Sequence, residues 1–231
     1  MAELFVPTWY QDAQNESWEI ARQRVRANII LPTTHAGQDE VLNSTARFRI
    51  LNCGRRWRKS TTAAIAIIRE ALNPNRKNGN YWWIFPTWPM GQVGWSMLME
   101  ICAGKVRTWE STRRVRFHTG SEIWVKSADH EDGLRGAGLD GLAIDECRDI
   151  DRRAWFEVLR PAIADKGGWV MFLSTPRGLD WFFELYEGAA DKPDWAAWTF
   201  PTWSNPSIAP IEIDAARSDM PERLFRQEMG A

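Results

Sequence analysis

Lys59 and Ser60 close the stretch Asn52-Cys53-Gly54-Arg55-Arg56-Trp57-Arg58-Lys59-Ser60-Thr61. Phe48-Arg49-Ile50-Leu51 leads in as an apolar, strand-like run, and a helical pattern with Ala63, Ile65, Ile67 and Ile68 leads out. A strand, a short basic loop and a helix bring backbone N–H groups and the positive end of a helix dipole to one point, which favours an anion. A lysine there supplies a point charge for β- and γ-phosphates, and the next hydroxyl can ligate Mg²⁺. The strict spacing G-x-x-x-x-G-K-S/T is not met. Aligned on Lys59, Cys53 takes the first glycine position and Arg58 the second, and only Gly54 remains. By itself the stretch reads equally well as a basic strand-to-helix turn. If the Arg58 backbone must adopt a positive φ, strain of about 1–3 kcal/mol is expected to weaken nucleotide binding, unless its guanidinium adds a phosphate contact.

A second set of residues bears on the same chemistry. Leu139-Asp140-Gly141-Leu142-Ala143-Ile144 reads as a buried strand running into Asp145-Glu146. Carboxylates at the end of a parallel strand sit at the rim where ligands bind. Asp145 can hold Mg²⁺ through water, and Glu146 can orient and activate an attacking water. Trp169 to Leu173 reads as another buried strand, ending in Ser174-Thr175-Pro176-Arg177-Gly178, where a hydroxyl pair can sense a γ-phosphate or simply close a turn. Gln38, upstream of the first strand, has an amide able to read adenine and is equally a plain surface residue. Lys105, Arg107, Arg113, Arg114 and Arg116 cluster around a hairpin and fit either DNA phosphates or a solvated face.

The elements that must position these groups are legible. Strands are expected at about 46–52, 81–85, 139–144 and 169–173, with a hairpin of 115–117 and 123–125. Helices are expected at about 59–72, 90–103, 155–159 (ended or kinked by Pro161), 180–187 and 211–229. The run Tyr81-Trp82-Trp83-Ile84-Phe85 has no alternation, as in a strand buried on both faces of a parallel sheet. Alternating strands and helices predict an α/β P-loop domain. At 231 residues the chain suits one large domain. With 29 basic against 30 acidic residues, no global field advertises nucleic acid, so any DNA contact must come from local patches. Cys53, Cys102 and Cys147 lack metal-ligand spacing and read as reduced thiols of a cytosolic protein. No leader and no apolar run of membrane length is present, so a soluble protein without membrane contact is expected. Residues 1–30 read as a partly amphipathic lead carrying Trp9, Trp18 and Arg22.

The ordered set Gly54-Arg55-Arg56-Trp57 before Lys59, Pro86-Thr87, Leu134-Arg135-Gly136, Ile144-Asp145-Glu146 and Ser174-Thr175-Pro176-Arg177-Gly178 resembles the large terminase subunit of tailed bacteriophages over roughly residues 35–231. Gln38, Asn205-Pro206 and Phe225-Arg226-Gln227-Glu228 also fit. The resemblance implies a P-loop NTPase of the RecA/ASCE-like kind, with a mostly parallel central sheet flanked by helices and a small lid-like C-terminal segment. It implies an arm over 1–34, an ATPase core over 35–180 and a lid or linker over 181–231, leading toward a nuclease domain expected to be absent. The implied activity is ATP hydrolysis driving double-stranded DNA into a capsid, with Mg²⁺. Portal protein and small terminase subunit would be partners of a homo-oligomeric ring, in the host cytoplasm and transiently at the portal vertex. By the same resemblance Gln38 contacts adenine, the loop 54–61 holds ATP, and Ser60 and Asp145 hold the metal. Glu146, Lys59 and Arg135 would be catalytic, Arg135 acting on a neighbour's ATP, and Ser174-Thr175-Pro176 would couple hydrolysis to movement. A superfamily-2-like helicase or translocase, and a packaging module that no longer hydrolyses ATP, are the alternatives.

Overall fold

The computed structural model describes residues 29–102, 104–129 and 131–231. The lead that carries Trp9, Trp18 and Arg22 lies outside them. An eight-stranded sheet organises the molecule. In chain order its strands are β1 (Phe48–Cys53), β2 (Asn80–Phe85), β3 (Arg107–Trp109), β4 (Arg114–Arg116), β5 (Glu122–Ser127), β6 (Gly141–Ile144), β7 (Trp169–Ser174) and β8 (Trp195–Phe200). They lie in the order β3-β4-β5-β2-β6-β7-β1-β8. From β5 to β8 every neighbouring pair is parallel, and β3-β4-β5 is antiparallel. The expected hairpin is β4–β5, with Val115 opposite Ile123.

Two cores explain why the strands read as unbroken apolar runs. Along β2, Tyr81, Trp83 and Phe85 enter one core, while Trp82 and Ile84 enter the other. The first core lies under α2 (Lys59–Leu72) and α3 (Trp88–Cys102), following the short helix α1 (Ala36–Leu42). The second lies under a π-helical turn, Ala154–Leu159, its continuation α4 (Arg160–Ala164), and α5 (Trp181–Glu187). Pro161 does not end this helix. It has no N–H to give the preceding turn, and the π turn before it absorbs the mismatch.

The C-terminal part differs from its sequence reading in two ways. The sheet continues past residue 180, because β8 pairs along all of β1 from Phe48 opposite Trp195 to Cys53 opposite Phe200. Its flanking Pro193 and Pro201 and its two alanines disguise it as loop. The single charged helix expected over 211–229 is interrupted at Pro221, giving α6 (Pro210–Asp219), α7 (Glu222–Phe225) and a π turn, Arg226–Gly230. All three cysteines are free and buried. Among the described residues no helix is long and apolar enough to cross a membrane.

Candidate active site

The carboxyl ends of β1, β6 and β7 converge. The loop after β1 runs from Cys53 to Arg58 and enters α2 at Lys59. The first N–H groups of any helix have no intrahelical partner, so α2 presents donors here. Lys59 is buried, its ammonium 2.9 Å from the Thr175 hydroxyl and 3.2 Å from the Cys53 carbonyl. The Ser60 hydroxyl lies near the Asp145 carboxylate and favours its charged form. Asp145 is 1% exposed and accepts from Trp83 Nε1 (3.2 Å) and the Glu146 N–H (3.1 Å). The expected partners Lys59, Ser60, Asp145, Glu146 and Thr175 thus meet at one rim. Ser174 Oγ, fully buried on β7 opposite Asn52, has no hydrogen-bond partner among the described residues, and neither has Asn52 Oδ1.

Burial raises the pKa of Asp145 to about 6, and the neighbouring Glu146 charge adds to the rise. The Ser60 hydroxyl, the Lys59 ammonium and the Trp83 indole oppose it. A carboxylate held up in this way favours a cation beside it. The folded carboxyl binds its proton more tightly than the unfolded chain does. Its contribution to stability is therefore greatest below 3.8 and is lost as pH rises through about 6. If Asp145 holds a cation during turnover, the rate should fall as pH drops through about 6, because the proton then competes for the carboxylate. A pH–rate profile at fixed Mg²⁺ and ATP checks this, and a flat acid limb down to pH about 5 would rule it out.

The loop itself is braced from behind. Gly54 donates to the Phe200 carbonyl (2.9 Å) and Arg55 N–H to the Glu228 carbonyl (2.7 Å). The Arg55 carbonyl accepts from Thr202 Oγ1, and that of Arg56 from Asn205 Nδ2, each at 2.8 Å. The Arg55 guanidinium pairs with the Glu228 carboxylate. A Cβ on Gly54 would meet the Met229 carbonyl at 2.6 Å, so glycine is needed here for the C-terminal segment's approach.

Two of the residues expected to contact nucleotide have side chains engaged by the scaffold. Trp57 is fully buried, stacked on Phe200 at 4.6 Å and bonded through Nε1 to Ser204 (2.9 Å), so its indole anchors the loop instead of facing a ligand. Such a stack is worth about 0.5–1.5 kcal/mol beyond its burial. Gln38 is also fully buried, with both amide ends engaged. Its Oε1 accepts from His35 N–H (3.3 Å), and its Nε2 donates to Thr62 Oγ1 (2.9 Å) and the Arg58 carbonyl (3.4 Å). Both ends of the amide are thus engaged by the scaffold, while Oε1, with one donor, keeps a second lone pair.

Arg56, Arg58 and Glu146 adopt positive φ, at 64°, 78° and 45°. Arg58 is the N-cap of α2 and exposed, so the strain anticipated for a non-glycine residue at this position is present. Arg58→Gly relieves this strain in the folded protein and is expected to raise stability by about 1–3 kcal/mol. ATP titration of parent and variant then reads the guanidinium alone, because the strain is already present in the loop without nucleotide. Weaker ATP binding by the glycine variant would mark Arg58 as a phosphate ligand, and equal affinity would mean that it contacts no phosphate. Thr61, in the first turn of α2, is half-buried.

The sequence reading missed Trp83, which orients Asp145, and Arg148. Arg148 Nη1 donates to the carbonyls of Thr175 (2.6 Å) and Pro176 (3.2 Å), tying the turn after Glu146 to the end of β7. The signal was its place two residues after the Asp-Glu pair. Arg135 is not brought to this rim. It is exposed and lines a separate groove with Trp82, Trp124 and Lys126.

With the phosphate loop and the buried acid at the carboxyl rim of one parallel sheet, the fold is that of a P-loop nucleotide-binding domain. The family model described as terminase large subunit, T4likevirus-type, N-terminal matches residues 50–228, and the chain belongs to this family. That sets aside the helicase alternative and bears out the resemblance. The chain is 27% identical over 237 residues to the terminase large subunit of Thermus virus P23-45, covering 85% of this chain and 48% of that one. It therefore spans about half the length of the curated relatives it matches. Among solved structures it is similar to the large terminase ATPase domain of Thermus phage P74-26, with a TM-score of 0.75 and 26% identity, covering 86% of this chain and 93% of that one. It shares its fold with a large terminase of a thermophilic bacteriophage in complex with ADP, at a TM-score of 0.73 and 14% identity, covering 85% of this chain and 52% of that one.

Proposed function

We propose that this chain hydrolyses ATP to move double-stranded viral DNA into a capsid. The observation that carries the reading is the meeting of Lys59, Ser60, Asp145 and Thr175 at one buried rim. The similarity to a solved terminase ATPase domain supports it, as does the ADP bound by a structural relative. The hard oxygens of Ser60 and Asp145 suit Mg²⁺, and a buried carboxylate with a raised pKa favours a cation. Among the described residues no group of three or more His, Cys, Asp or Glu is placed to hold a metal ion. When bound, Mg²⁺ neutralises charge on the β- and γ-phosphates.

Lys59 and the first-turn N–H groups of α2 hold the phosphates. Glu146 orients a water for in-line attack on the γ-phosphorus and takes its proton, as the bond to the β,γ-bridging oxygen breaks. Thr175, in contact with Lys59, reports the state of the phosphates to β7 and Arg148, which is the coupling role assigned to Ser174-Thr175-Pro176. Arg135 lies away from its own chain's rim, which suits action on a neighbour in a homo-oligomeric ring. Portal protein and small subunit complete the assembly, at the portal vertex in the host cytoplasm. The test is steady-state ATP turnover with and without duplex DNA, for parent and Lys59→Ala. Turnover lost in the lysine variant supports the reading, and no turnover in the parent under any condition favours a non-hydrolysing packaging module.

A further inference from the structure

The β3–β4–β5 end of the sheet carries charged and indole side chains on the face that, from β6 to β1, lies under helices. Period-two alternation puts Arg107, Trp109, Arg114, Arg116, Trp124 and Lys126 on this one face, beside Trp82 of β2. They interleave. The Arg107 guanidinium stands 4.8 Å from the Trp109 ring centroid, and Arg114 stands 3.7 Å from Trp109 and 4.8 Å from Trp124. The Lys126 ammonium stands 5.5 Å from Trp124 and 4.3 Å from Trp82. At the far end a groove of about 550 Å³ is lined by Arg116, Lys126 and Arg135, with Glu122 as its acidic residue. Glu122 sits 3.8 Å from Arg114 and 3.9 Å from Arg116, and so orients both guanidiniums.

We propose that the ladder of cations held on indoles along β3, β4 and β5, from Arg107 to Arg116, is the surface that takes the phosphodiester backbone of duplex DNA, the groove at its end being left to the neighbouring copy on which Arg135 acts. The inference rests on the reading of the chain as a DNA-moving motor and names the surface that such a motor uses. Three arguments carry it. The face is polar and cationic, so a helix seeking an apolar groove gains little from it. The charges are fixed in advance by the rings, so less side-chain freedom is lost when a ligand arrives. Finally, three adjacent strands span about 10 Å, which meets about two neighbouring phosphates of one DNA strand. Lys126 Nζ also donates to the Gly133 carbonyl at 2.7 Å, so the same side chain steadies the loop carrying Arg135.

The test is fluorescence anisotropy of a labelled duplex against the parent, Arg107→Glu, Arg116→Glu and the milder Arg116→Gln, over a series of salt concentrations. Both arginines are exposed and lie outside the ATP-hydrolysing machinery, so turnover without DNA should stay at the parental value. We expect charge reversal to weaken duplex binding at least tenfold at low salt. We also expect Arg116→Gln to lower the slope of log K against log salt by about 0.9 for each phosphate it no longer neutralises. A parent that binds duplex while the variants match its affinity and slope overturns the surface and leaves the motor reading standing. A parent that binds no duplex at any salt overturns both. If the variants keep DNA affinity but lose self-association in sedimentation, the face belongs to a second copy of the chain and the proposal fails.

Discussion

Glu146→Gln should bind ATP as the parent does and lose turnover by about 10²–10⁴. Three features of the residue set this expectation. Its N–H donates to Asp145 Oδ1 at 3.1 Å, so its backbone is pinned to the buried acid at the end of β6. It sits at the cap of the short turn Cys147–Asp149 with φ 45° and ψ 49°, a conformation costly for any residue with a Cβ and one that cannot relax without disturbing that turn. The amide keeps the size and hydrogen-bonding reach of the acid while removing the base. Nucleotide titration and steady-state rates on the same preparation separate binding from chemistry. A rate within a factor of a few of the parent would transfer the water-activating role elsewhere. Glu146→Gly is the informative companion. It relieves the left-handed backbone and should melt at a higher temperature, while losing as much turnover as the glutamine variant. Stability and activity then move in opposite directions at one residue, as expected where strain is kept for chemistry.

That strain also marks the limit of what the sequence discloses. The run from Ile144 to Glu146 gives the strand and its carboxylates away, because a buried parallel strand leaves no other residues to carry the chemistry at its end. The same logic exposes Lys59-Ser60 and Ser174-Thr175. Trp57 and Gln38 are less legible: an indole and an amide beside a phosphate loop serve a ligand or the scaffold equally well on paper, and only the structure shows both side chains buried. β8 was hidden because its pairing with β1 joins segments about 147 residues apart, and no local periodicity reports such a partner. Trp83 is invisible as a site residue because its role lies in what it orients, and Arg148 shows only as a cation two residues past the Asp-Glu pair.

Arg135→Ala should leave ATP binding intact and cost about 10³–10⁵ in whatever turnover depends on assembly. The exposed guanidinium lies in a groove walled by Trp82, Trp124 and Lys126, on a loop anchored by the buried Leu134, and no side chain of the phosphate loop lines that groove. A cation so placed has little to offer its own chain's nucleotide and much to offer one brought up by a neighbour. Mixing Arg135→Ala with Glu146→Gln under associating conditions discriminates. If the arginine acts across the interface, each inactive chain supplies what the other lacks, and activity returns in the mixture. If mixing restores nothing while parent chains mixed in the same way remain active, the arginine works within its own chain or not at all.

The bracing of the phosphate loop has a consequence for how the protein comes into being. Residues 54–57 are finished by Phe200, Thr202, Ser204, Asn205 and Glu228, across sequence separations of 146 to 173. On a ribosome, synthesis at about 5–20 residues per second separates the two halves of this contact by roughly 7 to 35 seconds. During that interval β1 and α2 can form, while the loop between them lacks the carbonyls and side chains that fix it. Nucleotide affinity should therefore arise late and in a single step, as the bracing segment emerges and closes on a loop made long before. A nascent chain of this family would be unable to burn ATP until nearly all of the domain has been synthesised.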